Sequence, residues 1–459
     1  VTTKAKRRSE NIAFIKSLVV LTIPVALQTI MFSSRNLSDV LMTSSMGADE
    51  VTAIGLASKY AMVSTILLFG IATGASQVLA QHKGKKDHLG FSQSFCSLVC
   101  ISIPIAMMIN VSFYLLSTPM VSIFTHSKNV IDISSDFIEI ISFQMIFAAI
   151  GISFNIGLRV LLKPSISTFF SAIGIVLNIF LNYVLIFGHW GFPHIGALGA
   201  AWATLVSCIV EVVLLLIYVY TKNIEISYSP HQYFQRISRL SMLGIIQLST
   251  PVVTSGLALC GGTFVYAYTL SKSGTSALAA LSVILPIESF SLAFLMGLSS
   301  GASVLIGRYI GEGNVDESYQ KGLLAILFTV VVSFPFMLVM YLVQDNVIEL
   351  FSGISNEAIN LANDFYSILI ISILIKSLSS IISNGVLRSG GDNIYCLKMD
   401  IISQWLITIP LVFVLGIYAA MPAAIVFLFT LTEDFIKVIL GFKRVKTRKW
   451  INDITVNHP

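Results

Sequence analysis

Arg35 and Asp39 stand four residues apart in a long apolar run near the start of this 459-residue chain. Asn178 and Asn182 repeat that spacing, and Thr204 closes the run Gly196-Ala-Leu-Gly-Ala-Ala-Trp-Ala-Thr204. Four residues is about one helical turn, so each pair shares a helix face. A carboxylate, two amides and a hydroxyl are oxygen ligands of the kind that surround a small cation, a transient sodium ion included. Alternatively, Asp39 carries a proton. Burial favours a neutral carboxyl and a neighbouring guanidinium favours the charged one, so Arg35 opposes that use. Two plainer readings stand beside these: Arg35 and Asp39 as a structural ion pair, and the amides as bonds between helices. A lone ion pair in apolar surroundings remains costly, which argues that both charges face a polar cavity.

A second set lies in the other half of the chain. Glu288 follows Pro286, Lys376 sits in an apolar run, and Asp400 precedes Trp405. Glu433 and Lys437 share a helix face, and Asp434 points elsewhere. A buried acid–base network and a substrate or proton site both fit this set. Glu211 reads as a boundary or packing residue, and His189 and His194 as solvated loop residues.

The elements that must position these groups follow from composition. Hydrophobic residues make up 55% and charged residues 11%, with a mean hydropathy of +0.86, whereas a soluble domain carries about 25% charged residues. Apolar stretches long enough to cross a bilayer recur near 13–43, 52–80, 92–118, 137–162, 167–188 and 196–220. They resume near 242–270, 278–308, 322–343, 362–387, 399–418 and 422–442. The fold class expected is an all-α integral membrane protein of twelve helices in two pseudo-symmetric six-helix bundles. The expected division is an amino-terminal lobe over 10–222, a cytoplasmic linker over 223–240 and a carboxy-terminal lobe over 241–450. Within a bilayer each ionisable group is costly and therefore a functional candidate.

Gly70-Ile-Ala-Thr-Gly74-Ala-Ser76 with Gly84 recurs as Gly297-Leu-Ser-Ser-Gly301-Ala-Ser303 with Gly311, at a constant offset of 227 residues. Half the molecule is thus repeated in the same sense. Such Gly-x-x-x-Gly spacing lets helices approach closely, whether for static packing or as a moving seam. The position 227 residues after Asp39 is Tyr266, so the repeat does not duplicate the acid. Prolines 24, 104, 251, 335 and 410 fall within spans and can kink their helices.

Charge distribution orients the spans. Twenty-two of the 28 Lys and Arg fall on the side of the two termini, against Lys59, Lys128 and Lys272 on the other. The positive-inside rule places both termini in the cytoplasm. The net charge of +5 therefore reports topology rather than nucleic-acid binding. The first apolar run lacks a small-residue cleavage site and reads as a retained helix rather than a signal peptide. The five cysteines have no disulfide or metal spacing, and no resident metal or cofactor is expected. No Gly-x-Ser-x-Gly, His-Glu-x-x-His or paired-Asp motif lies in a span, which argues against an enzyme.

Several segments, taken in order, resemble the multidrug and toxic compound extrusion (MATE) family. They are Asp39-Val-Leu-Met with Gly47 and Ala53-Ile-Gly55-Leu-Ala, Gly70 to Gly84, and Leu177-Asn178-Ile-Phe-Leu-Asn182-Tyr with Gly188. Gly196 to Thr204 and Val386-Leu-Arg388-Ser-Gly-Gly-Asp392 complete the set. The resemblance implies a V-shaped pair of bundles in a bacterial inner membrane. It implies efflux of amphipathic, often cationic compounds in exchange for protons or sodium. By the same resemblance Asp39, Asn178 and Thr204 take the cation-coupling positions. Some members carry an acid where this chain has Asn182, and Arg35 is outside the commonest pattern and reads as a modulator. Another branch places acids in the seventh and tenth helices, where this chain has Gly261, Gly262, Thr263 and Tyr266, and Lys376 with Ser377. A site in this half would then fall to Tyr266, Glu288, Lys376, Asp400, Glu433, Asp434 and Lys437. The expected partners are small-molecule drugs or toxins, the coupling ion and the lipid, with the chain acting as a monomer. A flippase for lipid-linked saccharides is the alternative within the superfamily. It would need a strongly basic cavity, and the basic residues read as lying inside spans rather than toward their ends are Arg35, Lys376 and Lys437.

Overall fold

The computed structural model describes residues 2–43, 46–349 and 356–455. The first half consists of α1 (Thr2–Thr43), α2 (Ala48–Gly84), α3 (His88–Ser122), α4 (Lys128–Val160), α5 (Pro164–Phe187) and α6 (Ala197–Thr221). A short α7 (Pro230–Arg236) lies in the linker and is closed by a capping box between Ser229 and Gln232. Then come α8 (Arg239–Ser271), α9 (Thr275–Gly311), α10 (Val315–Leu342), α11 (Gln344–Glu349) and α12 (Asn356–Ser380). α13 (Asn393–Asp400), α14 (Ile409–Phe413), α15 (Ala423–Thr430) and α16 (Thr432–Lys446) complete the chain. α12 continues through a π-helical stretch, Ile381–Leu387, and another, Ile401–Thr408, joins α13 to α14. Among the described residues no strand occurs, as expected where backbone groups must be satisfied inside lipid.

Eleven helical stretches among the described residues are long and apolar enough to cross a membrane. The chain is a multi-pass membrane protein. The expected twelfth span is built differently: α15 and α16 abut at Leu431, and Glu433 and Asp434 fall in the first turn of α16. Acids are favoured there because the first N–H groups of a helix lack intrahelical partners. Elsewhere the ends follow local chemistry. Asp87 accepts from the Gly90 amide at 2.9 Å to start α3, and Asn314 accepts from the Glu317 amide at 3.1 Å to start α10. α5 begins on Pro164 and stops at Gly188, whose φ of 69° suits glycine. On α10, Leu327, Val331, Phe334, Leu338 and Tyr341 recur at helical spacing and are all exposed. An apolar stripe of this kind suits acyl chains.

The chain gathers into two compact units, and each takes residues from both halves of the sequence. One comprises the described parts of 1–26, 80–86 and 254–457; the other comprises 27–79 and 87–253. The first is centred on Leu270, Ile284, Phe365, Tyr366, Val412 and Phe427, with the Phe365 and Phe427 rings stacked at 4.5 Å. The second is centred on Ile54, Leu68, Phe113, Phe137, Ile138 and Met145. α1 changes unit after Ala26 and α8 after Val253, each two residues past a proline, Pro24 or Pro251. These positions are also 227 residues apart.

The repeated glycines explain the exchange. A Cβ at Gly70 would meet the Cα of Val253 at 3.1 Å, and one at Gly74 the backbone nitrogen of Ser249 at 2.9 Å. In the other unit, a Cβ at Gly297 would meet the backbone nitrogen of Ala26 at 2.9 Å, and Gly301 faces Leu21 and Thr22. Val253 and Ala26, like Ser249 and Thr22, are repeat mates. Each glycine stripe therefore seats the opening helix of the other repeat. In the first unit, Gly84 lies against the Arg308 carbonyl and Gly311 against the Gln81 carbonyl, again a mirrored pair.

The segment after α16 packs into the first unit. Trp450 is fully buried, its ring against Gly322 and its Nε1 donating to the Val445 carbonyl at 3.2 Å. Buried Gln81 donates to the carbonyls of Asn452 (3.0 Å) and Ser389 (3.2 Å) and accepts from the Ile454 amide at 2.9 Å. Lys85 pairs with Asp453 at 2.7 Å.

Candidate functional site

Three helices of the second unit carry polar stripes at helical spacing. α1 supplies Gln28, Arg35 and Asp39; α5 supplies Ser171, Asn178 and Asn182; α6 supplies Thr204 and Glu211. These stripes meet in three rungs. In the first, Asn182 Nδ2 donates to Asp39 Oδ1 at 2.5 Å and also reaches Asn178 Oδ1 at 3.4 Å. In the second, Asn178 Nδ2 donates to Thr204 Oγ1 at 3.2 Å, and Arg35 Nη2 donates to the Thr204 carbonyl at 3.2 Å. In the third, Gln28 Nε2 donates to Ser171 Oγ at 2.8 Å, and Ser171 Oγ donates to Glu211 Oε1 at 2.6 Å. Asn178 and Asn182 are fully buried, and Arg35, Thr204 and Glu211 nearly so.

The structure thus brings together Asp39, Asn178, Asn182 and Thr204. It does not support one alternative reading, the Arg35–Asp39 ion pair, and it departs from expectation at Glu211. Arg35 and Asp39 share a face as their spacing requires, yet Arg35 forms no ion pair among the described residues and turns to a backbone carbonyl. Its charge still acts on Asp39 and on Glu211. Glu211, expected as a boundary or packing residue, is a buried acceptor in the third rung. Ser171, which donates to it, and Gln28, which donates to Ser171, were not singled out from sequence. The signal was available in the spacings 28/35/39, 171/178/182 and 204/211, which place each set on one helix face. One atom of the site lacks a partner: among the described residues, buried Asn182 Oδ1 accepts no hydrogen bond. A buried acceptor left open beside a carboxylate suits a cation or a proton.

The candidates of the other half gather in the first unit. Tyr266 Oη donates to Glu433 Oε2 at 2.7 Å, and Lys437 Nζ lies 2.7 Å from Glu433 Oε1 and 3.0 Å from Asp400 Oδ1. Ser255 donates to Asp400 Oδ2, and Arg388 approaches that oxygen at 3.7 Å. Lys376 pairs with Glu288. Asp434 forms no hydrogen bond or ion pair among the described residues, although its charge reaches Lys376 and Lys437. Asp400 lies at the start of the π-helical stretch that carries Gln404, whose side chain fills the space left by Gly262. Most of this set is thus joined in ion pairs, with Asp434 outside them. His189 and His194 lie exposed in the loop after α5, with the His189 ring stacked on Tyr183 at 4.5 Å.

Comparison with known proteins agrees with this architecture. The MatE family model matches residues 24–184 and 251–414, two segments that begin one repeat length apart. The chain is 24% identical to the uncharacterized transporter YisQ of Bacillus subtilis over 436 residues, 95% of each chain. It is 25% identical to the probable multidrug resistance protein NorM of Thermotoga maritima over 456 residues, 94% of this chain and 95% of that one. An outward-facing multidrug resistance MATE transporter of the MOP superfamily superposes with a TM-score of 0.86 at 18% identity, covering 95% of this chain and 96% of that one. A MATE transporter in complex with MaL6 gives 0.85 at 18% identity, covering 95% and 97%. With both repeats matched by the family model, this chain belongs to the MatE family of membrane transporters and is not an enzyme.

Proposed function

We propose that this protein is a secondary active antiporter that exports amphipathic, often cationic compounds and is driven by proton entry. The observation that carries the reading is the Asn182-to-Asp39 hydrogen bond beside the unpartnered Asn182 Oδ1. An amide presents donors on one side and an acceptor on the other. Ionised Asp39 takes the Asn182 Nδ2 donor. Protonated Asp39 offers its own hydroxyl, which a half-turn of the amide meets with Oδ1. One side chain can therefore serve both charge states, at the cost of the Nδ2 contacts to Asp39 and Asn178. A sodium ion would draw instead on Asp39, Asn178, Asn182 and Thr204 oxygens together. Protons are favoured because the other half lacks the acids associated with sodium in the seventh and tenth helices.

Exchange requires only that ion and drug favour opposite conformations by a few kcal/mol. The relatives named as multidrug resistance proteins support the substrate class. The Lys and Arg distribution supports cytoplasmic termini in a bacterial plasma membrane. The test is drug efflux from vesicles driven by a pH gradient alone, then by a sodium gradient alone. Efflux is expected from the pH gradient and at least a tenfold loss in Asp39→Asn. Gradient-driven efflux that survives Asp39→Asn would refute the coupling role. Drug flux requiring sodium at constant pH would refute the proton.

A further inference from the structure

Glu211 has no place in the coupling set read from sequence, yet it closes the same polar seam. It lies seven residues from Thr204 on α6, hence about 10 Å along one helix face. The residue is 8% exposed. Oε1 accepts the Ser171 hydroxyl at 2.6 Å, and Gly174 leaves room for the carboxylate, since a Cβ there would stand 2.8 Å from Oε2. Among the described residues Glu211 has no ion-pair partner. The charged and titratable groups around it are few. From α1 it meets the field of Arg35, and from its own helix Cys208, which also contacts Gln144 of α4; α5 offers only the hydroxyl of Ser171. Arg35 acts on both Glu211 and Asp39 and is bonded to neither.

The seam therefore holds two carboxylates and one guanidinium, and it carries one uncompensated negative charge when all three are ionised. We propose that Glu211 is a second proton-carrying carboxylate of the coupling site, sharing Arg35 with Asp39, so that the seam holds one exchangeable proton per cycle. The proton adds to one carboxylate oxygen and leaves the seam neutral; Arg35 then compensates whichever acid remains charged. This arrangement also supplies an acid absent at Asn182. It rests on the reading of Asp39 as the coupling residue, and Glu211 can be tested apart from it.

The experiment compares wild type, Asp39→Asn, Glu211→Gln and Glu211→Asp in proteoliposomes. It measures pH-gradient-driven efflux of a cationic dye and the pH dependence of dye binding in detergent. Gln preserves the Ser171 bond and the side-chain volume, so Glu211→Gln is expected to fold and to bind dye. Its gradient-driven efflux should fall at least tenfold, and Glu211→Asp should restore much of it. With Arg35 left wholly to Asp39, the pH midpoint of dye binding in Glu211→Gln should move to lower pH by about one unit. An unchanged rate and pH profile in Glu211→Gln, with Asp39→Asn inactive, would overturn this proposal and leave the Asp39 reading standing. Loss of dye binding and transport alike, with no recovery in Glu211→Asp, would assign Glu211 a structural role and also overturn it. Efflux surviving Asp39→Asn but lost in Glu211→Gln would sink the Asp39 reading and with it the sharing of Arg35 proposed here.

Discussion

Gln81→Leu offers a sharp test of how the carboxy-terminal segment is held. The side chain is fully buried and makes three hydrogen bonds, two of them to residues 452 and 454 and one to Ser389. Leucine keeps most of the volume and removes all three. At about 1 kcal/mol net per bond, and more where the buried Ile454 amide is left unsatisfied, the loss should be about 3–5 kcal/mol. A double-mutant cycle separates the tail from the rest. In a chain ending at Thr447 only the Ser389 bond remains to be lost, so the coupling between Gln81→Leu and the truncation should be about 2 kcal/mol. Reversible unfolding in mixed micelles measures all four corners, and hydrogen exchange at the Ile454 amide reports tail release directly. A coupling within about 0.5 kcal/mol of zero, or an Ile454 amide as protected in Gln81→Leu as in wild type, would refute the argument.

Other perturbations follow from the same geometry. Gly297→Ala puts a methyl 2.9 Å from backbone atoms of α1 and should cost about 1–3 kcal/mol in a thermal or denaturant melt, whereas Gly301→Ala, at 3.2 Å from a leucine side chain, should cost less. Equal effects at the two sites would contradict the close-approach reading. Lys437→Met leaves Asp400 and Glu433 without their nearest shared cation, and should destabilise by about 3–5 kcal/mol, with Asp400→Asn in the same chain recovering part of it. Burial raises the Asp453 carboxyl, but hydrogen bonds from Lys85 and Thr455 outweigh it and hold the group below its ordinary 3.8. That contribution is present above 3.8 and disappears as pH falls through the lower folded value. Because Asp453 is 42% exposed, Asp453→Asn should cost under about 1 kcal/mol at neutral pH and nothing in strong acid, measured as the difference between two melts.

Much of this was legible because it is local. Apolar runs of about 20 residues specify spans wherever the solvent is hydrocarbon, and the 227-residue offset specifies a duplication. The pairs 35/39 and 178/182 share faces by helical geometry alone, before any neighbour is known. The partner of a shared face is a different matter. Arg35 and Asp39 had the spacing of an ion pair, but the approach of α6 offers Arg35 a carbonyl instead. Glu211 looked peripheral by its place in the span, whereas α5 brings Ser171 and Gly174 against it. The break at Leu431 was hidden inside an apolar stretch of ordinary length.

The sequence by itself therefore determined that this is a duplicated, all-helical membrane chain, with one acid in the first repeat that the second does not copy. Short-range rules suffice for that: side-chain period, span length, and the cost of bare backbone in lipid. Tertiary structure decided which glycine stripe receives which helix, so that α1 and α8 each change unit beyond a proline. It also decided that Gln28, Ser171 and Glu211 extend the Asp39 seam, and that Gln81 holds a segment 371 residues away. Those contacts depend on which helix faces meet across long sequence separations, and no local pattern encodes that choice.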